Sequence, residues 1–314
     1  MSCRLSLSMA HRPGRREGFT LIELLVVIAI VALLISLLLP ALRRAKLEAQ
    51  KAISLSNIRQ VGAAGSAYQN DNKSMLPIVP AGVPVATTIN AWVTWGGWGK
   101  CCNAGPTSSN FWSQYGGIFD ISPARRPLNP YLYPDTLPGD IDRAQARRVF
   151  QMPGFKDPSD KIGHQQTWDA FDPTFGVALE NVDRSSCYDD VGSSYLLQIK
   201  WFFQTNAYVG GSWTQAWRLG SRRLSLSDGF VPSRMIWIND EYCDITINQA
   251  SAGAQIRNGY GDINRAVVCF LDGHSKYLKM IPGGEGDPNR ISHPWLVPAY
   301  NNADYTVVFP GLAH

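Results

Sequence analysis

The densest set of side chains that could bind a metal lies in the last third of the chain. It comprises five carboxylates and one imidazole: Asp240, Glu241, Asp244, Asp262, Asp272 and His274. Calcium prefers carboxylate oxygens, but no D-x-D-x-D-G loop is present and these acids lie on different segments. We therefore expect turn-forming or surface acids and no cofactor, with Asp240, Asp262 and Asp272 as weak candidates for a structural calcium site.

The histidines show no arrangement typical of catalysis. The sequence has no G-x-S-x-G and no H-E-x-x-H motif. We interpret four histidines as surface or hydrogen-bonded polar residues, namely His164, His274, His293 and His314. The sequence thus gives no reason to expect an enzyme.

The six cysteines leave two interpretations open. Cys101 and Cys102 are adjacent, and no C-x-x-C pair indicates a zinc site. One or two disulfides in an exported domain would suit the count, with pairing to Cys187 or Cys243 favoured for the adjacent pair. Buried thiols suit the sequence nearly as well.

Tryptophans are frequent in the loop-rich part of the chain and in the segment that follows it. Such rings can form stacking platforms for sugars or proteins, and they can equally fill small cores beneath loops. Packing is the interpretation that we favour for Trp92, Trp95, Trp98, Trp112, Trp201, Trp213 and Trp217.

An apolar segment near the N-terminus is the element with the clearest physical meaning. Residues 19–39 contain only three polar side chains, and as a helix they would extend ~31 Å, enough to cross a bilayer core. The arginines of residues 1–18 place the N-terminus in the cytoplasm by the positive-inside rule. The run is too long for a secretory signal peptide and lacks its A-x-A cleavage pattern.

Most of the positive charge belongs to this N-terminal tail. The net charge is +4, and residues 1–18 hold four arginines and one glutamate. The rest of the chain is therefore almost neutral and lacks the basic stripe of a nucleic-acid-binding domain, so we expect no nucleic acid partner.

One acid interrupts the apolar segment. A glutamate inside a bilayer costs roughly 2.5–3.5 kcal/mol, so Glu23 should have a partner. The hexapeptide Gly18-Phe19-Thr20-Leu21-Ile22-Glu23 resembles the leader signal of type IV prepilins and type II secretion pseudopilins. An uncleaved membrane anchor is the alternative.

The resemblance implies a set of processing and assembly residues. A prepilin peptidase would cut between Gly18 and Phe19 and N-methylate Phe19, and Glu23 would neutralise the amino terminus of a neighbouring subunit. Pro40 falls where pilins commonly carry a helix-loosening proline. The implied partners are the peptidase, other pilin-like subunits, the inner membrane and an assembly platform.

The following segment predicts a helix laid on a core. Apolar residues recur at three- and four-residue steps, as an amphipathic helix requires: Leu42, Ala45, Ala49, Ala52, Ile53, Leu55, Ile58 and Val61. Pro40 lacks an N–H, so we expect a kink or a few unwound residues there. The helix should end near residues 70–72.

The rest of the chain predicts loops and then an antiparallel sheet. Residues 77–190 are rich in Gly and Pro, with short strands and a short helix at 142–148 expected among the loops. Strand-like runs lie at 193–203, 234–240, 266–272 and 276–281. The tripeptide Asp272-Gly273-His274 suits a hairpin turn.

We therefore expect an α+β, pilin-like fold, in which a long N-terminal helix packs on an antiparallel β-sheet head with long loops. Its predicted parts are a leader peptide (1–18), a transmembrane assembly helix (19–40), an amphipathic helix (41–72) and the head (73–314).

Several short motifs beyond the helix resemble the large pilin-like H-X9-DG (DUF1559) proteins of Planctomycetes-type bacteria. The similar segments are Ser56–Gly62, Phe155–Asp160, Ser193–Tyr195, Pro232–Arg234 and Phe270–His274. Two positions depart from that pattern: Asp262 replaces the histidine ten residues before Asp272, and Asp157 replaces the cysteine of C-P-S-D. Roles tied to that histidine or cysteine are not expected here.

The resemblance implies a structural subunit of a type II secretion pseudopilus or a type IV pilus-like filament. Its helix would cross the inner membrane once, with the head in the periplasm before assembly and outside the cytoplasm in the filament afterwards. The alternative is an anchored or filament-tip binding module that recognises polysaccharide or a secretion substrate through its aromatic loops.

Overall fold

The computed structural model describes ten parts of the chain. They are residues 20–73, 76–77, 94–97, 122–135, 137, 151–162, 186–198, 231–247, 253–282 and 304–306. The predicted helix at 142–148 lies outside these residues, as do Gly18, Phe19, Cys101 and Cys102. The chain divides into two compact units, residues 1–47 and residues 48–314.

A single long helix dominates the N-terminal part. Helix α1 spans Leu21–Asp71 and includes Pro40 without a break. Its end confirms the predicted end near residues 70–72. The expected unwinding at Pro40 is not present, because the residues on both sides of the proline are helical. A proline inside a helix removes one backbone hydrogen bond, because it has no N–H, but the helix can continue on both sides of it.

Short helical segments follow in the described residues. They are a 3₁₀ turn at Pro123–Arg125, helix α2 at Asn129–Leu132, a second 3₁₀ turn at Pro153–Phe155 and helix α3 at Cys187–Val191. Each of the two 3₁₀ turns starts at a proline, whose fixed φ suits the first turn of a helix. Between positions 77 and 190, the described residues form no strand. The short strands predicted for this part of the chain stay a prediction, because most of it lies outside the described residues.

Four strands form the sheet. They are β1 (Tyr195–Leu197), β2 (Ile236–Asp240), β3 (Arg265–Phe270) and β4 (Ser275–Lys279). They lie in the order β1-β2-β3-β4, and every neighbouring pair is antiparallel. This sheet and helix α1 confirm the predicted α+β class and the four strand-like runs. Residues 199–203 of the first predicted run lie outside the described part.

The β3–β4 connection is the hairpin that the sequence predicts. Gly273 has φ +88°, a left-handed conformation that glycine adopts without a steric penalty. The Gly273 N–H donates to the Phe270 carbonyl at 2.8 Å. The His274 ring stacks on Phe270 with 4.2 Å between ring centroids, and its Nδ1 atom contacts the Asp272 carboxylate. The contacts of the Asp272 and His274 side chains are therefore those of a hairpin turn.

Both faces of the sheet are covered. Helix α4 (Glu241–Ile247), which the sequence analysis did not predict, follows β2 directly and packs on one face. The buried cluster there consists of Ile236, Cys243, Ile247, Ala266, Val268, Phe270, Met280 and Tyr305. Two small residues of α1, Gly62 and Gly65, touch the opposite face at Cys269 and Trp237.

The buried stripe of α1 differs from the predicted one. Ile58 and Val61 are buried as expected, but Ala52 and Ile53 are exposed. Ser54, a polar residue, is fully buried in place of Ile53. The buried stripe therefore combines Ile58 and Val61 with smaller residues, which allow a closer approach of the helix to the head than large apolar residues would: Ser54, Gly62, Ala64 and Gly65.

Candidate functional site

The start of α1 carries a local hydrogen-bond ring around Glu23. The carboxylate of Glu23 accepts from the backbone N–H of Thr20 at 2.9 Å and from the Thr20 hydroxyl at 2.8 Å. In return, the Glu23 N–H donates to the Thr20 Oγ1 atom at 3.3 Å. This is a capping box, in which the N-cap side chain and the glutamate three residues later satisfy each other's backbone donors.

The role of Thr20 was missed by the sequence analysis, although the T-x-x-E pattern was visible. The capping box gives Glu23 donors from its own chain, so the carboxylate has hydrogen bonds in the isolated subunit. Its predicted pairing with a neighbour's amino terminus stays a prediction. The same holds for Gly18 and Phe19, which lie outside the described residues.

The apolar half of α1 has the dimensions of a membrane span. An 18-residue stretch of this helix is apolar enough to cross a membrane, and none of it is buried. Leu21 is 86% exposed and Leu37 is 68% exposed, so apolar side chains point outward all around the helix. By length and composition this helix can cross a bilayer, and it supports membrane anchoring through one N-terminal span.

A second group of polar residues lies in unit two, where α1 meets the segment 156–160. The Ser54 hydroxyl donates to Asp157 at 2.8 Å and contacts the Tyr195 hydroxyl at 2.9 Å. The Tyr260 hydroxyl donates to the other carboxylate oxygen of Asp157 at 2.7 Å. Asp157 is 2% exposed, and both of its oxygens have hydrogen-bond donors within the chain.

Asp160 makes the next set of contacts from the same segment. It accepts from the backbone N–H groups of Cys187 and Tyr188 at the start of α3, at 3.0 and 2.9 Å, and from the Ser194 hydroxyl. Burial raises the pKa of Asp160 to about 6, although these three hydrogen bonds oppose the shift. Asp160 thus caps α3 and holds it beside the start of β1.

Side chains of α1 hold this segment from the other side. The Asn57 amide donates to the carbonyls of Pro153 and Lys156 at 3.2 and 3.1 Å, and the Gln50 amide donates to the Pro158 carbonyl at 3.5 Å. Residues 50, 54 and 57 recur at the spacing of one helix face. We call the segment Phe155–Asp160, with its contacts to α1, α3 and Tyr260, the acidic junction.

Asp262 contacts α1 through Lys51. The Lys51 ammonium lies 3.0 Å from Asp262, and 4.9 Å from the centre of the Tyr277 ring. The Tyr277 hydroxyl also donates to Asp262 at 2.8 Å. Partial burial works against ionisation, but the Tyr277 and Lys51 contacts lower the pKa of Asp262 overall.

Asp240 is the most buried of the three weak metal candidates. Its two oxygens accept from the backbone N–H groups of Cys243 and Val267 at 3.0 and 2.8 Å. Burial raises its pKa well above the usual range, against these hydrogen bonds. Asp240 therefore caps helix α4 and links it to β3.

The three candidates are not brought together. Asp240 binds backbone donors, Asp262 binds Lys51 and Tyr277, and Asp272 contacts His274 in the hairpin turn. Among the residues that the structure describes, no three acidic, histidine or cysteine side chains form a metal-binding group. Each of these three acids therefore has its partners within the protein. Calcium binding stays a prediction that the structure does not test.

Two other sequence interpretations can be followed in the described part. Trp95 is buried and its indole N–H donates to the Tyr195 carbonyl at 2.9 Å, so this ring packs in the core. The other tryptophans of the predicted aromatic loops lie outside the described residues. Cys187, Cys243 and Cys269 are buried, as the second of the two cysteine interpretations expects. The favoured pairing of the adjacent cysteines with Cys187 or Cys243 stays a prediction, because Cys101 and Cys102 lie outside the described residues.

Comparison with known proteins finds one similarity, at the N-terminus. Residues 14–39 match the family model described as the prokaryotic N-terminal methylation motif. No curated protein and no solved structure matches the chain. The matched residues include the start of α1, the Thr20–Glu23 capping box and the apolar span. The chain therefore carries a prepilin-type N-terminus, which points to a pilin-like structural protein anchored by its first helix.

Proposed function

We propose that this chain is the precursor of a pilin-like subunit that assembles into a type II secretion pseudopilus or a type IV pilus-like filament. The methylation motif at residues 14–39 carries the proposal, because it coincides with the start of an exposed apolar helix. A prepilin peptidase would cut between Gly18 and Phe19 and methylate the new terminus.

The first helix supplies both anchoring and assembly. Before assembly, its apolar side chains face lipid in the inner membrane, with the N-terminus cytoplasmic and the head periplasmic. During assembly, copies of the same helix replace lipid around those side chains. This exchange conserves the apolar environment, so little hydrophobic free energy is lost when the subunit leaves the bilayer.

Glu23 fixes how far one subunit lies above the next. A carboxylate among packed apolar helices needs a cationic partner, and the methylated amino terminus of a neighbour would be the nearest one. The capping box with Thr20 supports this proposal, because it provides donors for Glu23 until that partner arrives. The two partners can also share the carboxylate, which has acceptor capacity for both.

Unit two provides the part that a filament would display. It contains the sheet, α3, α4 and the acidic junction, all connected to residues 48–71 of α1. Its buried acids Asp157, Asp160 and Asp240 accept hydrogen bonds from within the chain, which fits a building block. The assembly platform and the other subunits are the proposed partners.

Cleavage tests the proposal most directly. Expressed together with a prepilin peptidase, the wild-type chain should lose residues 1–18, and mass spectrometry should find a methyl group on Phe19. Gly18→Ala should stay at precursor size, because a side chain at this position obstructs the peptidase. A mature-size Gly18→Ala band, or a wild-type chain that is never cut, would contradict the assignment.

A further inference from the structure

Three cations follow the apolar span of α1. Arg43, Arg44 and Lys46 are all exposed in the helix. The chain has no acidic residue between Glu23 and Glu48, so nothing in this stretch neutralises them locally. In the described part of the chain, the ion pairs involve none of the three.

The depth of these residues matches a lipid headgroup layer. The apolar run ends at Leu39, and at ~1.5 Å per residue Arg43 lies ~6 Å and Lys46 ~10 Å further along the helix. The headgroup layer of a bilayer is about 5–7 Å thick on each side of the hydrocarbon. Arginine and lysine side chains also reach back several ångströms toward the polar layer along their apolar stems.

The cations lie on one side of the helix. At ~100° per residue, Arg44 points ~100° to one side of Arg43 and Lys46 ~60° to the other, so the three directions fall within ~160°. Their position just beyond the apolar span favours lipid phosphates as the partner, because a bilayer that holds the span places its headgroups at this depth. Guanidinium groups, with two parallel N–H donors, match phosphate oxygens well.

We infer that Arg43, Arg44 and Lys46 bind the phosphates of anionic phospholipids in the leaflet next to the head. The inference rests on the proposed function, because it requires the apolar half of α1 to lie in a bilayer. After removal of residues 1–18, these are the basic side chains closest to the span. They would hold the subunit at a fixed depth until assembly withdraws it.

The experiment uses the chain after cleavage at Gly18, reconstituted in vesicles of equimolar phosphatidylglycerol and phosphatidylcholine, because the arginines of residues 1–18 would themselves attract anionic lipid. Spin-labelled forms of each lipid report its association with the protein. Membrane attraction of roughly 1 kcal/mol per basic residue predicts about a fivefold preference for phosphatidylglycerol per bound cation. Carbonate extraction of the same vesicles checks that the chain is inserted.

Two variants separate this site from general charge. The triple variant Arg43→Gln, Arg44→Gln, Lys46→Gln should lose the preference, so that both lipids associate about equally. The matched control is Arg59→Gln, Lys276→Gln, Lys279→Gln, which removes the same charge from exposed positions in unit two. That control should keep the wild-type preference, as should Arg43→Lys, Arg44→Lys, which retains the cations.

The outcomes are distinct. Equal association of both lipids with the inserted wild type, or an undiminished preference in the triple glutamine variant, would overturn the inference and leave the proposed function standing. A chain that carbonate releases from the vesicles would overturn both. If the triple variant keeps its lipid preference but loses cross-linking between copies, an acidic side chain of a neighbouring subunit is the occupant and the lipid assignment is wrong.

Discussion

At the scale of single residues, Glu23 has two separable properties. Its carboxylate closes the capping box with Thr20, and its charge is available for a partner. A glutamine at this position can still accept a hydrogen bond from the Thr20 N–H, but it has no charge. Substitution can therefore distinguish helix capping from ion pairing.

We expect Glu23→Gln to insert into the membrane normally and to fail in assembly. Removing one partner of a buried ion pair costs roughly 3–5 kcal/mol, enough to lower incorporation by more than about 100-fold. The measurement is the amount of subunit in sheared filaments relative to membranes. Thr20→Ala, which keeps the charge, should reduce incorporation far less; equal incorporation of Glu23→Gln and wild type would refute the ion-pair mechanism.

Asp160 gives the head a dependence on pH. Its folded pKa of about 6 lies above the ordinary value of 3.8, so the folded state binds the proton more tightly than the unfolded state. The contribution is fully favourable below pH ~4 and is lost as the pH rises through ~6. The raised pKa of Asp240 acts in the same direction, whereas the lowered pKa of Asp262 adds stability that is lost as the pH falls below ~4.

We therefore expect the free energy of unfolding to fall by roughly 2 kcal/mol between pH 4 and pH 7 through Asp160 alone. Urea unfolding of the detergent-solubilised chain at a series of pH values measures it. Asp160→Asn should flatten the curve between pH 4 and 6, and Asp262→Asn should leave that part unchanged. An Asp160→Asn curve parallel to the wild type would show that another group titrates there.

At the scale of elements, the contact between α1 and the sheet depends on two glycines. A Cβ atom on Gly65 would lie 2.0 Å from the Trp237 ring, and one on Gly62 would lie 2.7 Å from the Cys269 sulfur. Trp237 is 1% exposed, so its ring has little room to move. The same tight packing keeps water away from the Cys269 thiol, and this burial raises the pKa of Cys269 to about 12.

We expect Gly65→Ala to destabilise the head. The helix propensity of alanine contributes ~1 kcal/mol in its favour, but overpacking a core costs about 1–3 kcal/mol and more when a ring must shift. A net loss of about 1–2 kcal/mol should appear in urea unfolding. Trp237→Leu replaces the ring with a smaller side chain, so in that background Gly65→Ala should lower the free energy of unfolding by less. An unchanged loss would show that the overpacking does not involve the Trp237 ring.

At the scale of the whole molecule, exposed apolar surface is concentrated in one unit. Of the large apolar residues that are exposed in the described part, those between Leu21 and Leu42 form a continuous series in unit one. In unit two they are scattered, as with Ile53, Val231 and Ile281. Scattered apolar residues are normal for a soluble surface, whereas a continuous apolar helix is not.

We therefore expect a fragment of residues 48–314 to fold and remain soluble without detergent. It keeps the contacts of Lys51, Ser54 and Asn57 with the head. Sedimentation and cooperative urea unfolding measure the outcome. A fragment that starts at Ile58 loses those contacts and should unfold at lower urea concentration; if the two fragments were equally stable, the N-terminal end of the α1 contact would contribute nothing to the head.

The sequence by itself determined the features that depend on local composition. The apolar run, the T-x-x-E start of α1, the helix end near Asp71 and the Asp272-Gly273-His274 hairpin follow from side chains that are neighbours in the chain or along one helix. The membrane-spanning character of residues 19–39 needs no tertiary contact at all. For this reason the prepilin-type N-terminus could be identified before the fold.

Only the tertiary structure decided the roles of the buried polar residues. Any two of Ser54, Asp157 and Tyr260 are more than 100 positions apart in the chain, and their hydrogen bonds form when α1 lies on the head. Lys51 and Asp262 meet in the same way. Since such contacts depend on which segments the fold brings together, they cannot be predicted from the spacing of residues in the chain. The physical reason is that a buried carboxylate accepts hydrogen bonds from the donors that the fold places next to it, and in this protein those donors belong to the chain itself.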